Sequence, residues 1–418
     1  MDIKTYITDL ATAARKAAAK LAATNGETRD KALRACAAAL RESSGAIQAA
    51  NAKDLAGADE LGLNDAMKKR LVLNDKKVEG MAVALEEMAA QVDPVGKTLT
   101  AYNRPNGLRL EKRRVPIGVI GIVFESRPNV TSDAAGLCLK SGNACILRGG
   151  KEAIHSNLAI AEAIKKGLGA AGLPAEAVTV LETTDRAAVP AMATAEGLID
   201  LIIPRGGHGL IRAVMDAASI PVIKHLDGIC HVYVHSDAHL DMAEAIAVNA
   251  KCQYPAVCNA METLLIDAAI AETFLPRVAA ALRDAGVELR GCDRCRAIVT
   301  DMNPATEEDW ACEYLDLILA VRVVDGLDAA IEHINTYGSK HTEAIVTTSI
   351  EAAEHFTTNV DASSVMVNAS TRWADGGRYG LGAEIGISTD KLHARGPMGA
   401  EDLTTTKWIV TGQGHIVE

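Results

Sequence analysis

The sequence predicts an α/β protein built on parallel sheets. Three observations carry that expectation. Short β-prone runs alternate with helical ones from Val115 onward, the helical runs end at glycine or proline signals, and hydrophobic residues reach 49% while aromatics stay at 3%. In such an alternation each helix crosses back over a sheet, which makes the strands parallel and covers both faces. With so few aromatics, the core must be filled by Ala, Val, Ile and Leu on closely approaching elements. At 418 residues the chain has room for two or three domains.

The elements follow in order. Residues 3–24 place apolar side chains at helical spacing and stop at Asn25-Gly26, a C-terminal cap. Thr28-Arg29-Asp30 opens a second helix, and helical patterns cover 65–73 and 77–90. From Gly96 to Arg114 the pattern turns to short β-prone pieces around Pro105-Asn106-Gly107, a hairpin signal. Strands are then expected at 117–124, 144–147, 178–181, 198–203 and 221–224, with helices at 132–140 and 153–171 among them. A second alternating block starts near Asn259: strand 262–266, helix 268–285, strand 317–324, helix 328–335, and strands 343–346 and 365–367. The last stretch, 404–417, reads as exposed β structure.

Charge and composition exclude some functions. A formal net charge of −11 argues against a nucleic-acid surface, because phosphate binding is dominated by cationic contacts. The best apolar run, Val115 to Phe124, is short and carries Pro116, Gly118 and Gly121, so no membrane span is expected. The N-terminal residues lack a secretory apolar region, and nine cysteines, an odd number, suit a reducing compartment. The expected location is cytoplasmic.

Of those cysteines, Cys258 has the setting of a nucleophile. A helix ends near Lys251, a loop with Pro255 follows, and the thiol comes just before a strand. A thiol at an element boundary can be exposed, and neighbouring N–H groups can lower its pKa and receive an oxyanion. Cys252 falls where the helix should end. Cys292-x-x-Cys295 suits redox or zinc chemistry but has no partner pair, and Cys138 and Cys145 lie in apolar contexts that suit small core residues. No Gly-x-Gly-x-x-Gly follows a strand, so an ordinary Rossmann fingerprint is lacking. The turn Arg205-Gly206-Gly207-His208 joins a strand to a helix, and reads either as a phosphate cradle or as a turn made for tight packing.

Several long motifs carry a resemblance. They are the run from Pro116 to Val130 containing Phe124-Glu125-Ser126-Arg127-Pro128-Asn129, then Leu147-Arg148-Gly149-Gly150-Lys151, Lys224-His225-Leu226-Asp227-Gly228, the segment around Cys258, and His393-Ala394-Arg395-Gly396-Pro397. Together they closely resemble the γ-glutamyl phosphate reductase family of the aldehyde dehydrogenase superfamily, over essentially the whole chain. The resemblance implies an aldehyde dehydrogenase-like fold: a Rossmann-type cofactor domain, an α/β catalytic domain and a small β oligomerisation hairpin. It implies NADPH-dependent reduction of L-glutamyl 5-phosphate to L-glutamate 5-semialdehyde, the second step of proline biosynthesis, through a cysteine thioester.

Residue by residue, the resemblance makes Cys258 the nucleophile and Asn129 the side-chain amide of the oxyanion site. Arg127 and His225 would meet the phosphate or a carboxylate, Glu384 the α-ammonium, and Arg395 the α-carboxylate. His225 stands where oxidising relatives carry a glutamate that activates water, which a reductase must avoid. Arg148, Lys151, Gly206, Gly207 and Glu313 would hold NADPH, Lys151 meeting the 2′-phosphate. No metal is implied. The implied domains are 1–97 and 116–250 for the cofactor, 98–115 and 404–418 for oligomerisation, 251–379 for catalysis, and 380–403 as a returning segment. A homo-oligomer and a transient contact with glutamate kinase are the expected partners. The alternatives are another aldehyde dehydrogenase-type oxidoreductase or a non-catalytic nucleotide-binding scaffold.

Overall fold

The structure, a computed structural model, describes residues 2–417 as two compact units. One comprises Met1–Lys224, Gly380–Gly386 and Met398–Glu418; the other comprises His225–Tyr379 and Ile387–Pro397. Among the described residues, no helix is long and apolar enough to cross a membrane.

The first unit holds a four-stranded parallel sheet in the order Val178–Val180, Ala144–Arg148, Val119–Phe124, Leu201–Arg205. The two central strands are buried at every position, as parallel strands covered by helices must be. Small residues set the helix spacing. A Cβ added at Gly167, on helix Ile154–Ala170, would lie 2.5 Å from the Cys36 backbone of helix Gly26–Glu42. Two buried cations tie these helices to their neighbours: Arg29 bonds Asp93 at 2.6 Å, and Lys140 bonds Asp30 at 2.7 Å.

A separate three-stranded antiparallel sheet in this unit orders Thr98–Asn103, Arg109–Pro116 and Thr404–Thr411. The hairpin expected around Pro105-Asn106-Gly107 is therefore present, with Gly107 at φ 92° closing the turn. The outer strands expose Leu99, Tyr102, Trp408 and Val410.

The second unit holds a seven-stranded sheet. Its order is Asn303–Pro304, Glu288–Gly291, Ile318–Val324, Met261–Asp267, Cys230–Val234, Thr342–Val346, Ser364–Val367, all parallel. Alternate residues face opposite ways. Val232, Val234, Leu264, Ile266, Val321 and Val323 join Phe274, Leu275 and Leu282 in one core. Tyr233, Leu265, Val324 and Ile345 join Ile334 and Phe356 in another.

Two features differ from the sequence reading. The division falls at Lys224/His225 rather than near 250, because Cys230–Val234 pairs with Met261–Asp267 and Thr342–Val346. The strand expected at 221–224 is a single bridge between Ile202 and Val222, since Pro221 has no N–H to give a ladder.

The helix crossing yields a paired prediction. Gly167→Ala forces the two helices apart and should cost about 1–3 kcal/mol. Gly169→Ala, two residues along the same helix with nothing within 4 Å, should stabilise by about 0.4–1 kcal/mol. Urea midpoints of the two variants shifting in the same direction would contradict this account.

Candidate functional site

In the second unit, helix Leu240–Cys252 runs out at Lys251, and strand Met261–Asp267 begins just before Glu262. The Lys251 ammonium and the Glu262 carboxylate meet at 2.6 Å, and both side chains are fully buried. This ion pair closes the loop that carries Cys258. The Tyr314 ring lies 5.7 Å from the Lys251 ammonium, and the Leu315 N–H donates to Glu262 at 3.4 Å. Burial pushes the Glu262 carboxyl up to about 7, with Lys251 pulling the other way.

Further contacts set the loop. Asn259 donates to the Ala374 carbonyl at 2.8 Å, Arg372 to Gln253 Oε1 at 2.9 Å, and the Cys230 thiol to the Cys258 carbonyl at 3.2 Å. Gly228 passes so close that a Cβ there would lie 2.0 Å from the Cys258 carbonyl oxygen. Cys258 itself is half-buried. Its sulfur and one ring nitrogen each from His225 and His341 lie within 4.8 Å of one another.

The two imidazoles meet edge to face, 5.4 Å between centroids. His225 Nδ1 is 2.9 Å from the Ile387 carbonyl, which can only accept, so Nδ1 carries the proton and Nε2 is the basic nitrogen. His341 Nδ1 is 2.9 Å from Thr342 Oγ1. The buried Arg372 guanidinium is drawn below its usual pKa by burial and by Arg378, and the Cys258 thiol pulls it back up. An imidazole nitrogen beside a thiol is a proton acceptor within its reach. His225 was legible in the sequence; His341 was not. It stands just before strand Thr342–Val346, 83 positions beyond Cys258, and no local pattern marks it.

The remaining predicted residues of this unit are placed otherwise. Arg395 bonds Asp361 at 2.8 Å, a carboxylate that Lys340 and Lys391 also reach. Three cations hold Asp361 well below the usual carboxylate range, Lys391 most of all. Glu313 is half-buried, and its charge helps to raise Glu262.

In the first unit, the loop after Val119–Phe124 carries Arg127 and Asn129. Ser126 opens it at φ 42°, a strained angle for a residue with a Cβ, and is held there by Glu152, which accepts from its N–H at 2.6 Å and its hydroxyl at 2.9 Å. Asn129 is exposed, and its amide donates to Asp133 at 2.9 Å. Burial lifts the Asp133 carboxyl to about 6, with Asn129, Ser132 and Arg205 opposing. Arg205 also pairs with Glu384 at 3.4 Å, so Asn129, Asp133, Arg205 and Glu384 form one polar group. Arg127 is half-buried.

Among the residues predicted to grip the cofactor, Lys151 is exposed at the start of a short helical turn and fits a phosphate. Arg148 is buried and donates to the Thr184 carbonyl at 3.2 Å. Gly206 and Gly207 do form the turn between Leu201–Arg205 and His208–Ala217, but the Gly207 N–H donates to Glu125 at 2.9 Å. A Cβ at Gly206 would lie 2.5 Å from that same carboxylate. The turn fits a phosphate only where Glu125 gives way.

Residues 4–318 match the Aldehyde dehydrogenase family. The γ-glutamyl phosphate reductase of Moorella thermoacetica is 56% identical over 96% of both chains. The crystal structure of the Thermotoga maritima γ-glutamyl phosphate reductase is 45% identical, with a TM-score of 0.96 over 99% of this chain and 100% of that one. That of the Saccharomyces cerevisiae enzyme is 33% identical, with a TM-score of 0.55 over 98% of each chain.

The loop anchor gives a prediction about asymmetry. Glu262→Gln strands a buried ammonium and should cost about 3–5 kcal/mol in urea unfolding. Lys251→Met should cost less, because the Glu262 carboxyl, already lifted by burial, can take a proton and become neutral. The reverse ranking would mean that the carboxylate is held by something other than Lys251.

Proposed function

The chain belongs to the aldehyde dehydrogenase family, in its γ-glutamyl phosphate reductase branch, and from that premise we propose that it reduces L-glutamyl 5-phosphate to L-glutamate 5-semialdehyde with NADPH. The observation that carries the reading is the thiol of Cys258 set among His225 and His341. A basic imidazole nitrogen takes the thiol proton. The thiolate attacks the acyl carbon, the C–O bond to phosphate breaks, and phosphate leaves with both of its electrons. The acyl group is then held as a thioester on Cys258.

NADPH, when bound, supplies the hydride that this thioester accepts. The resulting thiohemiacetal oxyanion is met by the Cys258 N–H and a side-chain amide, for which Asn129 is the candidate, and collapse releases aldehyde and thiolate. Arg127 and Arg395 are assigned to the acidic groups of the substrate and Glu384 to its ammonium. Lys151, with Arg148, Gly206, Gly207 and Glu313, is assigned to the cofactor. The apolar side chains exposed on the three-stranded sheet, Tyr102 and Trp408 among them, suit a homo-oligomer contact. A cytoplasmic location and a transient contact with glutamate kinase go with the reaction, whose substrate is a labile acyl phosphate.

Four measurements test the proposal. Cys258→Ala should abolish turnover, and wild-type oxidation of the semialdehyde should require phosphate; equal rates without phosphate would point to another aldehyde dehydrogenase activity. Lys151→Glu should raise the KM for NADPH about 10–100-fold while sparing NADH, the worth of one charge-assisted bond. His341→Ala should slow native-state alkylation of Cys258 at a fixed pH as well as lower kcat; a fall in kcat with unchanged alkylation would leave His341 a purely structural role.

A further inference from the structure

Cys292 and Cys295 take no part in the proposed reaction. Their sulfurs lie 3.5 Å apart; Cys292 is partly exposed and Cys295 is buried, donating to the Val321 carbonyl at 3.3 Å. Cys292 lines an open cavity of about 550 Å³ at the carboxyl ends of strands Glu288–Gly291 and Ile318–Val324. We propose that this pair is a redox-active dithiol, a modification site that takes low-molecular-weight disulfides from the cavity and closes to a Cys292–Cys295 disulfide.

The steps balance as two thiol–disulfide exchanges. The Cys292 thiolate attacks one sulfur of the small disulfide, the S–S bond breaks, and the other half departs as thiolate. The Cys295 sulfur then attacks Cys292, the mixed S–S bond breaks, and the second half departs as a thiol carrying the proton that Cys295 gave up. The small disulfide is reduced to two thiols and the cysteine pair is oxidised. Closing the gap from 3.5 Å to a bond of about 2.05 Å asks little movement of adjacent side chains.

The surroundings favour this order of events. Cys292 is held down to about 5, first by its hydrogen bond with the Cys295 sulfur, with the N–H groups of Val323, Cys295 and Arg294 helping against burial. The charged and titratable side chains around the cavity largely satisfy one another: Arg294 bonds Asp325 at 2.8 Å and Arg322 donates to His333 Nδ1 at 2.9 Å, with Asp293 and Glu332 also at the wall. Cys295 is pushed far up by the Cys292 sulfur and by burial. Once Cys292 is in a mixed disulfide its charge is gone, and that restraint on Cys295 is released. Cys252 and Cys312, also partly exposed, have thiols raised by burial and serve as internal controls.

The test is exposure of the native chain to oxidised glutathione at pH 5.5, read by non-reducing peptide mapping. At that pH an ordinary thiol is ionised to about one part in a thousand, whereas one near 5 is mostly thiolate; the weaker nucleophilicity of the more acidic sulfur takes back part, leaving about tenfold. Cys292 should react at least about tenfold faster than Cys252 and Cys312 and end joined to Cys295, and Cys295→Ser should stop at a glutathione adduct on Cys292. A Cys292 that reacts no faster than those two overturns the proposal, as does a wild-type adduct that never resolves onto Cys295. Because the readout is covalent modification, the result is independent of the reaction proposed for Cys258.

Discussion

A single buried ion pair governs how the proposed nucleophile is presented. Lys251 ends a helix, Glu262 begins a strand, and their contact at 2.6 Å fixes both ends of the loop bearing Cys258. Two charges taken out of water repay their desolvation only when the geometry is good and the other donors and acceptors are satisfied. Here Leu315 and the Tyr314 face supply part of that satisfaction. The pair is better understood as a positional device than as a source of stability. An apolar pair of equal volume would hold helix and strand together, but it would not fix the loop length and register between two specific atoms. Gly228 completes the device, since its bare backbone lets a second segment lie directly on the Cys258 carbonyl.

The positional device works because the sheet behind it is packed on both faces. Met261–Asp267 is buried at every position and shares its two faces between separate cores, so a displacement of Glu262 would have to disturb both. The same principle operates in the first unit with smaller parts. There an aromatic-poor composition replaces bulky side chains with close backbone approaches such as Gly167 on Cys36, and the loop after Val119–Phe124 is strained at Ser126 and held by Glu152. In both units a loop adjoining a buried parallel strand has its conformation imposed by a buried or half-buried glutamate. Loops placed in this way can carry chemistry without the flexibility that loops ordinarily bring.

What the sequence made legible was local. Alternation of strands and helices, the Pro105-Asn106-Gly107 hairpin, the glycine turn at 206–207 and the boundary position of Cys258 all depend on neighbours within a few residues, and each has its counterpart in the structure. What stayed hidden was long-range pairing. His231 sits fully buried inside a parallel strand, which local pattern disfavours; it is tolerated because Glu343, on the adjacent strand, bonds both its N–H and its ring at 2.8 Å. That strand draws the division between the units back to residue 225. His341 and Arg372 come near Cys258 only through sheet order. One long-range partner could have been suspected: a glutamate in the apolar run Met261-Glu262-Thr263-Leu264-Leu265 asks for a cation, and Lys251 is the nearest in sequence.

The glycine turn shows why residue type alone does not decide a binding role. Glycines before a helix free N–H groups for an anion, and this turn does meet one, but the anion is the chain's own Glu125. A carboxylate there satisfies the helix end and keeps the turn formed when no phosphate is present. It also sets a condition on the cofactor, because a dinucleotide phosphate entering the turn must displace a charge of its own sign, whereas one lying against the exposed Lys151 gains an opposite charge at once. The two positions are therefore unequal. The Gly207 N–H becomes available to another anion only once Glu125 has moved. In this chain the exposed lysine and the turn that already holds a carboxylate are separate positions, so the charge at Lys151 can be altered without disturbing the turn.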